Sequence, residues 1–156
     1  MANDSEDGRK VLARNRKALH EYHVLDSWEA GIALTGPEVK SIKNGKVSLQ
    51  EAFARVDGGE VWLHGMHVTP YDPAAGWNTD PVRPRKLLLR RQEIRKLIGA
   101  TQEQGQTLVP LDLHLRRGFV KTTLALGRGK KQYDRREDLK KRTHEREMQR
   151  ALKERT

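Results

Sequence analysis

The chain has no cysteine among its 156 residues, which excludes disulfides and thiolate metal centres and permits a reducing cytoplasm, the expected compartment. Long apolar runs are missing too, the longest being a few residues such as KLLL, so neither a signal peptide nor a transmembrane helix is expected. There is no serine nucleophile elbow, no Walker loop and no G-x-G-x-x-G fingerprint; GRGKKQ has two glycines but lacks the strand-to-helix setting that cradles a phosphate. Carboxylates are scattered beside basic residues, and no nucleophile, base and orienting group can be nominated. An enzyme is not expected, nor a cofactor. Two H-x-x-H pairs, His20 with His23 and His64 with His67, match zinc's ligand number. In strands that spacing sends the two members of a pair to opposite faces, so no metal site is expected.

What the chain does have is positive charge. Lys and Arg number 31 against 21 Asp and Glu, a formal charge of +10. Residues 127–156 carry 12 basic and 6 acidic side chains, so this tail supplies +6 of the total. Such asymmetry points to a polyanionic partner, because basic groups release condensed counterions on binding. Apolar residues in the second part of the tail are few (Leu139, Met148, Ala151 and Leu152), and a membrane-surface helix needs a bulky apolar face. Nucleic acid is therefore the expected anion, and no membrane partner is expected.

Periodicity outlines the body. Tyr22, Val24, Trp28, Ile32 and Leu34 share one parity, the signature of a long half-buried strand. TGPEVKSIKNG has Thr35 and Glu38 at capping-box spacing, Pro37 near the first helical position and Gly45 as a stop, which predicts a short helix. VSLQEAFARV and EVWLHGMHV flank Asp57, Gly58 and Gly59, a hairpin connection. A second hairpin places Val109, Leu111, Leu113 and Leu115 on one face of its first strand and Val120, Thr122, Leu124 and Leu126 on one face of the other, with Pro110 at an edge or bulge. Between the hairpins lie a proline-rich loop with Trp77, a brief strand at RKLLL, and a helix presenting Ile94, Leu97, Ile98 and Thr101. The expected fold is mainly β with α: a small antiparallel barrel of the oligonucleotide-binding type with flanking helices. The expected organisation is a disordered lead over 1–14, a barrel over 15–127 and a basic tail over 128–156.

Basic residues gather in VRPRKLLLRRQEIRK and in NRKALHEY. Either cluster alone reads equally as a solvated charged face; two clusters with apolar and aromatic neighbours favour RNA. HEYHVLDSWEAGIALTGPEVKSIKNGKVSL, RPRKLLLRRQEIRKLIG and GRGKKQYDRREDLKKR, in that order, resemble the signature segments of the SmpB family, the SsrA-binding proteins. The likeness runs from about Asn15 to the C-terminus. It implies an oligonucleotide-binding barrel that binds the tRNA-like domain of transfer-messenger RNA and enters the A site of a stalled ribosome, with elongation factor Tu linked through the RNA. It also implies an RNA-binding surface of Glu29, Arg85, Lys86, Leu88 and Arg90, joined by Lys17 and His20. Two of these residues keep an ordinary alternative: Glu29 as a strand carboxylate paired to a neighbouring base, Leu88 as a core residue.

The tail divides into two parts. Lys130, Lys131, Tyr133, Arg135 and Arg136 form a basic cluster around an aromatic ring. Arg142, Arg146 and Arg150 line up on one side of a latent helix whose internal ion pairs contribute only about 0.3 to 0.5 kcal/mol each. By the resemblance, this tail contacts the ribosomal A site and message channel, formed by small-subunit RNA, and folds there.

Overall fold

Two glycine turns and a set of strand bulges determine how the sheet closes. The computed structural model describes residues 9–71, 80–103 and 105–130, together with Arg146, Met148 and Arg150. In chain order the elements are β1 (Arg9–Arg14), α1 (Arg16–Glu21), β2 (Tyr22–Ile32), α2 (Gly36–Lys43), β3 (Val47–Ser48), β4 (Phe53–Asp57), β5 (Glu60–His64), β6 (His67–Val68), β7 (Arg85–Leu88), α3 (Arg91–Thr101), β8 (Gln106–Arg116) and β9 (Phe119–Gly129). The sheet order is β1-β8-β4-β5-β7-β2-β9, and β9 pairs back onto β8, so six strands form a ring with β1 added on its outside edge. Every pairing is antiparallel. This is the expected oligonucleotide-binding type of barrel.

The DGG hairpin forms as read: β4 and β5 pair Asp57 with Glu60, and Gly58 and Gly59 take φ of 60° and 79°. Two positive φ values in a two-residue connection match the right-handed twist of the strands. The capping box of α2 is also present: the Glu38 backbone N–H donates to the Thr35 hydroxyl and the Thr35 backbone N–H donates to the Glu38 carboxylate. Inside the ring, Leu63, Leu87, Leu108, Leu113 and Leu124 are fully or almost fully buried. Leu97 of α3 joins this core, while Ile98, read as part of the same apolar face, is 37% exposed.

Three sequence expectations change here. Residues 9–14, assigned to a disordered lead, form β1, with Val11 opposite His114 and Arg14 opposite Asp112. The upper half of β8 offers a free edge beyond the short reach of β4, and β1 fills it. A β-bulge in β8 between Pro110 and Asp112 splits the supposed single face: Val109 and Leu111 pack with Ala18, Tyr22 and Ala125 in a small second cluster, while Leu113 enters the main core. Pro110 thus lies at a bulge, as read. A second bulge between Val24 and Asp26 of β2 breaks the long alternation, leaving Val24 44% exposed while Trp28, Ala30 and Ile32 face inward. Trp77 lies outside the described residues.

Candidate nucleic-acid interface

β7 and β2 run side by side, Gly31 opposite Leu88, and this pairing builds the floor of a surface groove of about 810 Å³. Glu29, Gly31, Lys86, Leu88, Arg90 and Lys121 line it, with Gly58 and Gly59 of the first hairpin at one side. A Cβ on Gly31 would lie 3.2 Å from the Leu88 Cβ, tighter than ordinary packing, so the missing side chain allows the two strands this approach. Leu88 is 53% exposed, which rules out its core alternative. Lys86 ion-pairs with Glu60 at 2.8 Å across the sheet, both side chains about 40% exposed; such a pair is weak and displaceable. Arg90 caps α3 through its backbone N–H, which donates to Glu93 at 3.0 Å, and its side chain is exposed.

Glu29 anchors a polar network that sequence reading missed. His114 is fully buried on the outer face of β8, with Nε2 2.9 Å from Glu29 Oε2 and Nδ1 2.7 Å from Asp112 Oδ1. Arg116 donates to Glu29 at 2.8 Å and Lys121 approaches it at 3.5 Å. Thr123 donates to Asp112 at 3.0 Å, and Arg9 of β1 reaches Asp112 at 3.8 Å. Partial burial pushes the Glu29 carboxyl upward, but hydrogen bonds from His114 and Arg116 outweigh it, and the net shift is down. A rigid, ionised acceptor results at the edge of the groove. The paired-carboxylate reading of Glu29 is therefore correct, and Glu29 lines the groove as well. The signal for the network was the alternation in LDLHLRR, where Asp112, His114 and Arg116 share the parity opposite the leucines. β1, which brings Arg9 to Asp112 and Thr123 at the edge of this network, was not recognised as a strand.

Arg85 does not belong to this surface. Its side chain is completely buried and donates to Glu38 Oε2 at 2.7 Å, to the Met66 carbonyl at 2.8 Å and to the Pro81 carbonyl at 3.1 Å. Strand alternation gives the reason, since Arg85 and Leu87 point inward while Lys86 and Leu88 point outward. Glu38 also takes Arg83, at 2.5 Å. Burial would raise its carboxyl, but hydrogen bonds from Arg83, the Thr35 backbone and Arg85 hold it at about 2.

Lys17 and His20 lie elsewhere. Both are on α1, at the start of β2, roughly 20 Å from Glu29 by strand rise. Lys17 pairs with Glu51 at 3.0 Å. His20 lines a second groove of about 550 Å³ with Glu21, Tyr22, Gly129 and Lys130. This is the point where β9 gives way to the tail. Of the tail residues, Lys131, Tyr133, Arg135, Arg136 and Arg142 lie outside the described residues; Arg146 and Arg150 are helical and exposed. His64 stacks on Phe53 with centroids 5.3 Å apart, and among the described residues no group of three His, Asp or Glu side chains is arranged to hold a metal ion. No helix among them is long and apolar enough to cross a membrane.

A closed antiparallel ring with a shallow groove rimmed by cations and an exposed leucine defines a small barrel protein of the oligonucleotide-binding class. Within that class the family is resolved by comparison: residues 12–154 match the family model described as SmpB protein, and the chain belongs to the SmpB family. It is similar to SsrA-binding proteins of Geobacillus kaustophilus (54% identical over 146 residues, 94% of both chains) and Nostoc punctiforme (53% over 151 residues, 96% of this chain and 97% of the relative). The Bacillus subtilis SsrA-binding protein is 52% identical over 145 residues, 93% of each. A solved structure described as tmRNA–SmpB in the bacterial ribosome superposes with a TM-score of 0.65 at 45% identity, covering 77% of this chain and 84% of that one.

Proposed function

We propose that the chain binds the tRNA-like domain of transfer-messenger RNA and delivers it to stalled ribosomes for trans-translation, as a cytoplasmic adaptor that catalyses no reaction itself. The observation that carries this reading is the β2–β7 groove in a chain more than half identical to SsrA-binding proteins along nearly its whole length. Each wall has a job that RNA can use. Lys86 can exchange Glu60 for a backbone phosphate, and Arg90 can reach another. Leu88 offers an apolar surface to an unstacked base or sugar, and the fixed Glu29 carboxylate accepts from a base amino group or a 2′-hydroxyl.

The second groove, with His20 and Lys130, and the basic tail beyond it form the other end of the adaptor. That end faces the ribosomal A site and message channel, while elongation factor Tu is brought by the RNA. Co-purification of the full chain from bacterial cells, followed by sequencing of the bound RNA, tests the reading. Enrichment of transfer-messenger RNA over ribosomal fragments and bulk tRNA is expected. A pool that merely reflects cellular abundance would contradict it and favour a less selective single-strand-binding barrel.

A further inference from the structure

The tip of the second hairpin carries a feature that the groove does not use. β8 ends at Arg116 and β9 begins at Phe119, so only Arg117 and Gly118 make the turn. Both have positive φ, 52° and 82°, which is the tight hairpin turn that asparagine and glycine ordinarily supply. Arg117 is the one non-glycine residue with positive φ among the described residues, and the long arginine side chain pays a steric penalty there. Beside it stands Phe119, 70% exposed, the most exposed large hydrophobic among the described residues. A two-residue turn offers this ring on a short, stiff support. The ring shares the outward face with Lys121, which lines the groove two residues further along β9, about 7 Å away by strand rise. Across the strands, Phe119 is opposite Arg116 and Arg116 is opposite Arg9. An exposed aromatic ring in a row of cations, contiguous with the groove, has the composition of a single-strand stacking platform.

We propose that this tip extends the RNA site: Phe119 stacks on an unpaired base of the RNA held in the groove, and Arg117 contacts the adjoining phosphate. Backbone strain kept at a functional residue accounts for arginine where glycine would fit better. The partner is RNA rather than protein because four cations gather around the ring, Arg9, Arg116, Arg117 and Lys121, and among the described residues they outnumber the two carboxylates paired with them, Glu29 and Asp112. The inference rests on the proposed function.

The test uses the full chain and the tRNA-like domain of transfer-messenger RNA as probe, at fixed salt. Phe119→Ala is expected to bind about tenfold more weakly with an unchanged salt slope, since it removes a stack and no charge. Phe119→Trp should stay within about twofold of the parent, and Phe119→Leu should fall with the alanine variant, because it keeps apolar area but has no π face. Parental affinity in Phe119→Ala or Phe119→Leu would overturn the stack. Arg117→Gly should raise the melting temperature while weakening binding and reducing the salt slope by about one; unaltered affinity would remove Arg117 from the site. Lys86→Ala separates the two levels of argument. If it loses affinity while the Phe119 variants do not, only the tip is wrong, whereas no preference of the parent chain for this RNA would overturn the proposed function itself.

Discussion

At the scale of single residues, Arg85 and Lys86 show how adjacent cations divide between the interior and the groove. Lys86 is exposed and weakly paired, so Lys86→Ala should leave the melting temperature almost unchanged while lowering affinity for the tRNA-like domain about tenfold and the salt slope by about one. Arg85→Ala would remove one of the two arginines paired with the buried Glu38 carboxylate and free the Met66 and Pro81 carbonyls, and should cost about 3 to 5 kcal/mol of stability, measurable by urea unfolding. Glu38 also predicts a pH dependence. Its folded pKa of about 2 is below its ordinary value of 4.5, so its contribution is fully present above about pH 5 and is lost as pH falls toward 2. The loss should be of order 2 to 3 kcal/mol, and Glu38→Gln should flatten that part of the stability curve. Gly31→Ala, which presses on Leu88, should weaken RNA binding more than it lowers the melting temperature.

Among the elements, the hairpins, α2, α3 and the long β2 strand could be read from turn chemistry, capping spacing and alternation, because each of those signals is local. β1 could not. It contains only Val11, Leu12 and Ala13 as apolar residues, and its existence depends on an open edge of β8 about a hundred residues away. The bulges were half visible: Pro110 marked one, while the one after Val24 left no comparable sign. The same non-local physics hid the Asp112–His114–Glu29 network, whose members come from two strands far apart in sequence and meet only because β9 pairs with both. Of the groove residues, Glu29, Lys86, Leu88 and Arg90 came from the family resemblance, with the basic run around Lys86 as the residues' own hint. Leu12 packs against the core from β1, so Leu12→Ala should cost about 1 to 2 kcal/mol, less than the about 2 to 5 of a fully buried leucine. An unchanged melting temperature would mean that β1 adds nothing to the barrel.

For the molecule as a whole, two grooves lie at opposite ends of β2, and the proposed function assigns the tRNA-like domain to one and the ribosome to the other. Deleting residues 134–156 should leave affinity for the tRNA-like domain within about twofold of the full chain while abolishing peptide tagging in a reconstituted translation reaction. Equal loss of both would remove the division between barrel and tail. Binding by the barrel should be selective rather than a general effect of the +10 charge, since Leu88 and Glu29 present features that counterion release does not reward. The most direct test is therefore competition at 150 mM salt between the tRNA-like domain and random RNA of equal length. The parent chain should prefer the tRNA-like domain by at least about a hundredfold, and a combined Glu29→Gln, Leu88→Ser variant should lose most of that preference while retaining its weak binding to random RNA. Equal affinity of the parent chain for the two RNAs would contradict the account.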